Sequence, residues 1–178
     1  MIHPDLRQQA RTAYEHSRLR LAGLHALPAL FPLLVIWLSP HRTTAQLFGA
    51  VALFAVAVGL VWRGGAAARA VRPALSAGLL PLLLPLIVFQ SFCGSGNCTT
   101  NCIAACTLAG ARAGAWIGLQ SAHQRQRLEF GITGGILVVW TGALGCSALG
   151  AVELFAMALA FAAVAAPLAI AGPAVRRT

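Results

Sequence analysis

Six runs of apolar residues, separated by short polar joints, set the pattern of this chain. They cover Leu21–Leu38, Ala45–Trp62, Pro73–Phe92, Cys102–Leu119, Phe130–Cys146 and Gly150–Gly172. The joints are Ser39–Thr44, Arg63–Arg72, Cys93–Asn101, Gln120–Glu129 and Ser147–Leu149. A helix needs about 20 mainly apolar residues to cross a bilayer, and each run meets or approaches that length. A closed barrel also satisfies backbone groups in lipid, but it requires polar and apolar residues to alternate, and no run does so. The pattern predicts an all-α integral membrane protein, a bundle of six transmembrane helices with short loops. It divides the chain into a basic N-terminal segment (1–20), a transmembrane domain (21–173) and a short tail (174–178).

Composition agrees. Of 178 residues, 58% are apolar and 10% charged, with a mean hydropathy of +0.77, outside the soluble globular range. Thirteen arginines and no lysines face Asp5, Glu15, Glu129 and Glu153, for a net charge of +9. On a soluble domain that excess would suggest nucleic acid. Here the arginines occupy the joints between apolar runs, so the expected partner is the lipid bilayer, with no direct nucleic-acid binding.

Arginine placement sets the expected orientation. Arg7, Arg11, Arg18 and Arg20 precede the first run, and Arg63, Arg69 and Arg72 separate the second from the third. Arg125 and Arg127 separate the fourth from the fifth, and Arg176 and Arg177 close the chain. Arg42 alone falls on the other side, and Arg112 lies inside a run. Both termini are therefore expected in the cytoplasm. The first run ends in Trp37-Leu38-Ser39-Pro40 without a small-residue cleavage site, which marks a retained anchor rather than a signal peptide. Residues 1–20 predict a basic helix along the inner surface, drawn to anionic lipid or docking a cytoplasmic protein. The fifth run is the shortest and glycine-rich, and is the one open to a re-entrant alternative.

Cys98, Cys102, Cys106, Gly110, Gly114 and Gly118 recur every four residues through the fourth run. Residues four apart are neighbours on a helix, so they form a continuous stripe of small side chains. Glycines so spaced let membrane helices approach closely. The fifth run, with Gly131–Gly135 and Gly142–Cys146–Gly150, is the expected partner, and the stripe is also a candidate surface for homo- or hetero-oligomers.

If the odd-numbered joints share a side, Cys93, Cys98, Cys102, Cys106 and Cys146 all lie at one extracytoplasmic face. Asn101 is a candidate N-cap, and a helix N-terminus favours a thiolate. Four readings of the cluster stand open. An oxidising compartment favours disulfides, and five thiols leave one over. The odd thiol, and pairs one turn apart, fit a redox switch. Thiolates also suit soft ions such as zinc, copper or mercury, with His41 on the same face, although the spacing matches no paired zinc pattern. Inert packing of small residues is the fourth.

Arg112, near mid-bilayer, and Glu153, near the outer end of the sixth run, are the two intramembrane ionisable residues. Their rise along the helices differs by about 9 Å, within reach of two long side chains, so the expectation is an ion pair or a snorkelling arginine, the alternative being an element that senses protons, an anion or the cysteine cluster. Pro28, Pro32, Pro81 and Pro85 are candidate kinks. No phosphate loop, dinucleotide fingerprint or Ser/His/Asp set is present, so the chain is not expected to be an enzyme.

Six spans, a basic start, a cysteine opening the fourth span (Cys102 or Cys106) and another closing the fifth (Cys146) resemble the small membrane-bound anti-sigma factors of the negative-regulator-of-sigma-F kind. That resemblance implies outer thiols that sense metal or oxidant, and a cytoplasmic face that holds a sigma factor. This chain differs in its three further cysteines and its basic rather than acidic N-terminal segment. The expectation is a polytopic sensor or regulator of the bacterial inner membrane, responding through its cysteines to redox state or a thiophilic metal. A small transporter for such a metal, or a structural subunit of a membrane complex, is the alternative.

Overall fold

The computed structural model describes residues 4–39, 43–92, 98–146 and 150–171, and every regular element among them is helical. Helix α1 (Pro4–Ala26) passes through a 3-10 turn (Leu27–Ala29) into α2 (Leu30–Leu38). Then follow α3 (Thr44–Arg63), α4 (Gly65–Phe92), α5 (Cys98–Ala122), α6 (Arg127–Cys146) and α7 (Ala151–Ala171). Six helical segments are long and apolar enough to cross a membrane: Thr12–Leu38, Thr44–Arg63, Gly65–Val88, Thr100–Ala122, Arg127–Cys146 and Ala151–Ile170. The fifth is a regular helix of 20 residues, about 30 Å at 1.5 Å per residue.

The helices overrun the apolar runs wherever no residue stops them. Between Pro4 and Ala26 nothing breaks the backbone, so the basic segment does not form a separate element. It continues into the first span as one helix of 23 residues. The break comes at Pro28, inside the 3-10 turn. The expected joint Arg63–Arg72 shrinks to a tight turn, because Gly64 (φ 81°) and Gly65 (φ 83°) both take the left-handed conformation open to glycine. Beyond them the alanine-rich Ala66–Ala70 stretch is a good helix former, and α4 starts at once. Pro73, Pro81 and Pro85 all lie within α4 without ending it.

Two devices hold the ends. At the start of α3, Thr43 and Gln46 form a reciprocal capping box. At its end, Arg18 of α1 donates from Nη2 to the Arg63 carbonyl at 3.3 Å, which satisfies one of the orphan acceptors of a helix C-terminus.

The interior combines large side chains such as Leu53, Leu75, Leu82 and Phe130 with many alanines. Ala26, Ala50, Ala57, Ala70, Ala74 and Ala109 are fully buried, while Phe48, Leu108, Phe155 and Ile170 are exposed, the last by 82%. A water-soluble domain has the opposite distribution. Helices that associate in lipid gain little from burying large apolar groups, and pack through small ones. The closest pairs are α5 with α7 and α4 with α6. A Cβ on Gly78 of α4 would stand 2.8 Å from Thr141 Cβ of α6, and one on Gly145 of α6 would stand 2.8 Å from the Leu82 carbonyl of α4.

Candidate functional site

Parallel packing of α5 and α7 builds the site. Along α5, Gly110, Gly114 and Gly118 meet Met157, Phe161 and Ala165 of α7 in turn. Each step is four residues on both helices, so the register is constant from contact to contact. A Cβ on Gly114 would lie 2.5 Å from the Phe161 carbonyl, and one on Gly118 would lie 3.0 Å from that of Ala165. The partner of the stripe is thus the sixth span, not the expected fifth. The three glycines are buried within the chain, which leaves them no free surface for a second one.

The fifth span uses its own glycines differently. A Cβ on Gly135 would stand 3.2 Å from the Phe161 ring, and one on Gly142 would meet the Met157 sulfur and Pro81. A Cβ on Gly131 would come no nearer than 3.8 Å, to Ser121. Side chains from α7 therefore fill the notches of α6, while α7's backbone rides on α5.

One register step beyond Gly110 and Met157 come Cys106 and Glu153, and here α6 ends. Cys106 and Cys146 are both fully buried, and their Sγ atoms are 3.0 Å apart. A disulfide would hold them at about 2.05 Å, so the thiols touch without being bonded. Met157, buried, packs against both together with Val139 and Leu154. Cys102, one turn nearer the start of α5, is 2% exposed. Glu153, in the first turn of α7, is 7% exposed, and its carboxylate lies within electrostatic reach of the sulfurs of Cys102, Cys106 and Cys146. Its Oε2 fills the space beside Gly150, 2.7 Å from where a Cβ would stand, and Gly150 itself has φ 145°.

Met157 is the member that sequence reasoning missed. Its signal was its position four residues after Glu153, on the same face of α7, in step with the stripe opposite. Cys93 and His41 lie outside the described residues, as do Arg42 and the tail 174–178. Cys98 opens α5, with its side chain outside that description.

Arg112 and Glu153 do not meet. Arg112 is two residues past Gly110, about 200° around α5, and so points away from α7. It is exposed and lines a cavity with Ser76, Leu80 and Trp116. Axial distance permitted the expected ion pair, but the direction around the helix rules it out.

Chemically the site can join two sulfurs. Among the described residues no group of three or more Cys, His, Asp or Glu side chains is placed to share a metal ion. Cys106 and Cys146 supply two soft donors in contact with each other, while Cys93 and His41, the other expected donors, lie outside the described residues. Neither a protein-family model, nor a characterised protein, nor a solved structure matches this chain.

Proposed function

We propose that this protein is a polytopic inner-membrane regulator whose switch is the Cys106–Cys146 thiol pair. The observation that carries this reading is the 3.0 Å contact between two fully buried sulfurs on separate helices. A small hydroperoxide supplies a balanced chemistry. One thiol reduces the hydroperoxide to the corresponding alcohol, or hydrogen peroxide to water, and becomes a sulfenic acid. The second thiol displaces water from it, forming the S–S bond, for a net loss of two electrons and two protons. An external dithiol reverses the step. Cys102, one turn closer to the end of the helix, is placed to resolve the first intermediate in competition with Cys146.

Bonding shortens the sulfur separation by about 1 Å, and packed helices pass such a shift on rather than absorb it. Because α7 rides on the glycines of α5, any movement of α5 against α6 carries α7 with it. The opposite end of the bundle holds Arg18, Arg63, Arg69, Arg72, Arg125 and Arg127. By the positive-inside rule that end faces the cytoplasm and would be the output. A cytoplasmic sigma factor is the partner implied by the resemblance.

The test is hydrogen exchange on the purified protein in the reduced and peroxide-treated states. The proposal expects protection to change in the turn 123–126 and in the adjoining ends of α5 and α6. If exchange changed only next to the sulfurs, the pair would be a structural bridge and not a switch.

A further inference from the structure

Two cavities adjoin on the arginine side of the bundle. The wider, about 590 Å³, takes its polar lining from His25, Arg69, Arg72, Gln120 and Gln124. The narrower, about 250 Å³, holds Arg112 between Leu80 and Ala113. Ser76 and Trp116 line both, so the two adjoin along a groove lined chiefly by α4 and α5, to which His25, Val61 and Phe130 also contribute. Ser76 is one turn beyond Arg72 on α4, and Arg112 is one turn before Trp116 on α5. Two guanidinium groups therefore approach the shared stretch from opposite directions along the span. No Asp or Glu lines either cavity.

We propose that this groove binds the phosphate-bearing headgroup of an anionic phospholipid, with Arg69, Arg72 and Arg112 on the phosphate. Guanidinium groups grip phosphate through paired, charge-assisted hydrogen bonds, and basic pockets between membrane helices suit such headgroups. Gln120 and Gln124 supply further hydrogen bonds to the glycerol and phosphate oxygens. The groove then turns apolar along Leu80, Ala77 and the half-exposed Trp116, where an acyl chain lies against the protein. The ligand also accounts for Arg112, a cation within an apolar span that meets no carboxylate in its own cavity. An intramembrane arginine of this kind marks a functional site.

The experiment titrates the full chain, in mild non-ionic detergent, with phosphatidylglycerol, phosphatidylcholine or inorganic phosphate. Thermal midpoint and native mass spectrometry are the readouts. Phosphatidylglycerol should raise the midpoint and remain bound as a single molecule. In Arg72→Gln and Arg112→Gln its affinity should fall by about tenfold or more, the scale of one lost charged hydrogen bond. Arg125→Gln, an exposed cation at the same end that lines neither cavity, should bind as the wild type does. If Arg112→Gln fails to fold, Arg112→Lys replaces it, since the point charge survives while the paired geometry is lost. Equal weakening in Arg125→Gln would reduce the effect to general charge attraction and overturn the proposal. A midpoint shift by inorganic phosphate with the same dependence on Arg72 and Arg112 would make the ligand a free anion, and the lipid assignment would fall. Absence of any phosphatidylglycerol effect would also overturn it.

Discussion

Gly114 of α5 lies directly beneath the Phe161 carbonyl of α7, where an added Cβ would stand 2.5 Å from that oxygen. Backbone on both sides leaves nothing flexible to give way. Gly114→Ala should therefore lower stability by about 1–3 kcal/mol, the usual cost of overpacking, and Gly110→Ala should behave alike. Gly59, with nothing within 4 Å of its Cβ position, is the control. Gly59→Ala should be neutral or slightly stabilising, because alanine is the better helix former. Thermal midpoints in detergent decide the matter, and equal effects at Gly59 and Gly114 would mean that α5 and α7 are not in close contact.

Direction around α5 separates Arg112 from Glu153, since Arg112 points away from α7. A double-mutant cycle with Glu153→Gln and Arg112→Gln should be additive to within about 0.5 kcal/mol, as for residues that share no partner. A larger coupling would restore the ion pair that axial position alone suggests.

What the sequence made legible follows from this contrast. The apolar runs located the six helices that, among the described residues, are long and apolar enough to cross a membrane, because length and hydropathy are properties of a segment by itself. The four-residue stripe announced close packing through Gly110, Gly114 and Gly118 for the same reason. Its partner was not legible, since the fifth span offered glycines and the sixth offers Met157, Phe161 and Ala165, which carry no obvious signal. Direction around the helix was also missed at Arg112. The helical reach of α1 and the early start of α4 were underestimated because hydropathy ends where the membrane core would, while a helix ends only at a breaker such as the Gly64–Gly65 turn.

Met157 fills the space between the two thiols and the Gly142 notch. Met157→Ala should cost about 2–5 kcal/mol through the cavity it leaves, whereas Met157→Leu, close in volume, should cost less than about 1.5 kcal/mol. If the sulfur pair depends on this packing, Met157→Ala should also slow its oxidation while Met157→Leu leaves the rate near that of wild type. Midpoint and thiol-loss rate, measured on the same preparations, check both halves.

Orientation can be read from single cysteines in a background lacking the native five. Thr100→Cys stands exposed near the thiol end, and Gln126→Cys is exposed in the turn among the arginines. A membrane-impermeant maleimide should label Thr100→Cys in intact spheroplasts and Gln126→Cys only after lysis. The reverse order would place the sulfurs in the reducing interior, where a stable bridge is not expected.

Whether Cys106 and Cys146 actually bond is tested most directly by peptide mapping of the wild-type protein after mild peroxide treatment and denaturing alkylation. A linked pair of peptides carrying Cys106 and Cys146 should appear, disappear on reduction, and persist in Cys102→Ser. Recovery of both cysteines fully alkylated, under oxidant that converts other thiols of the chain, would contradict the proposed switch.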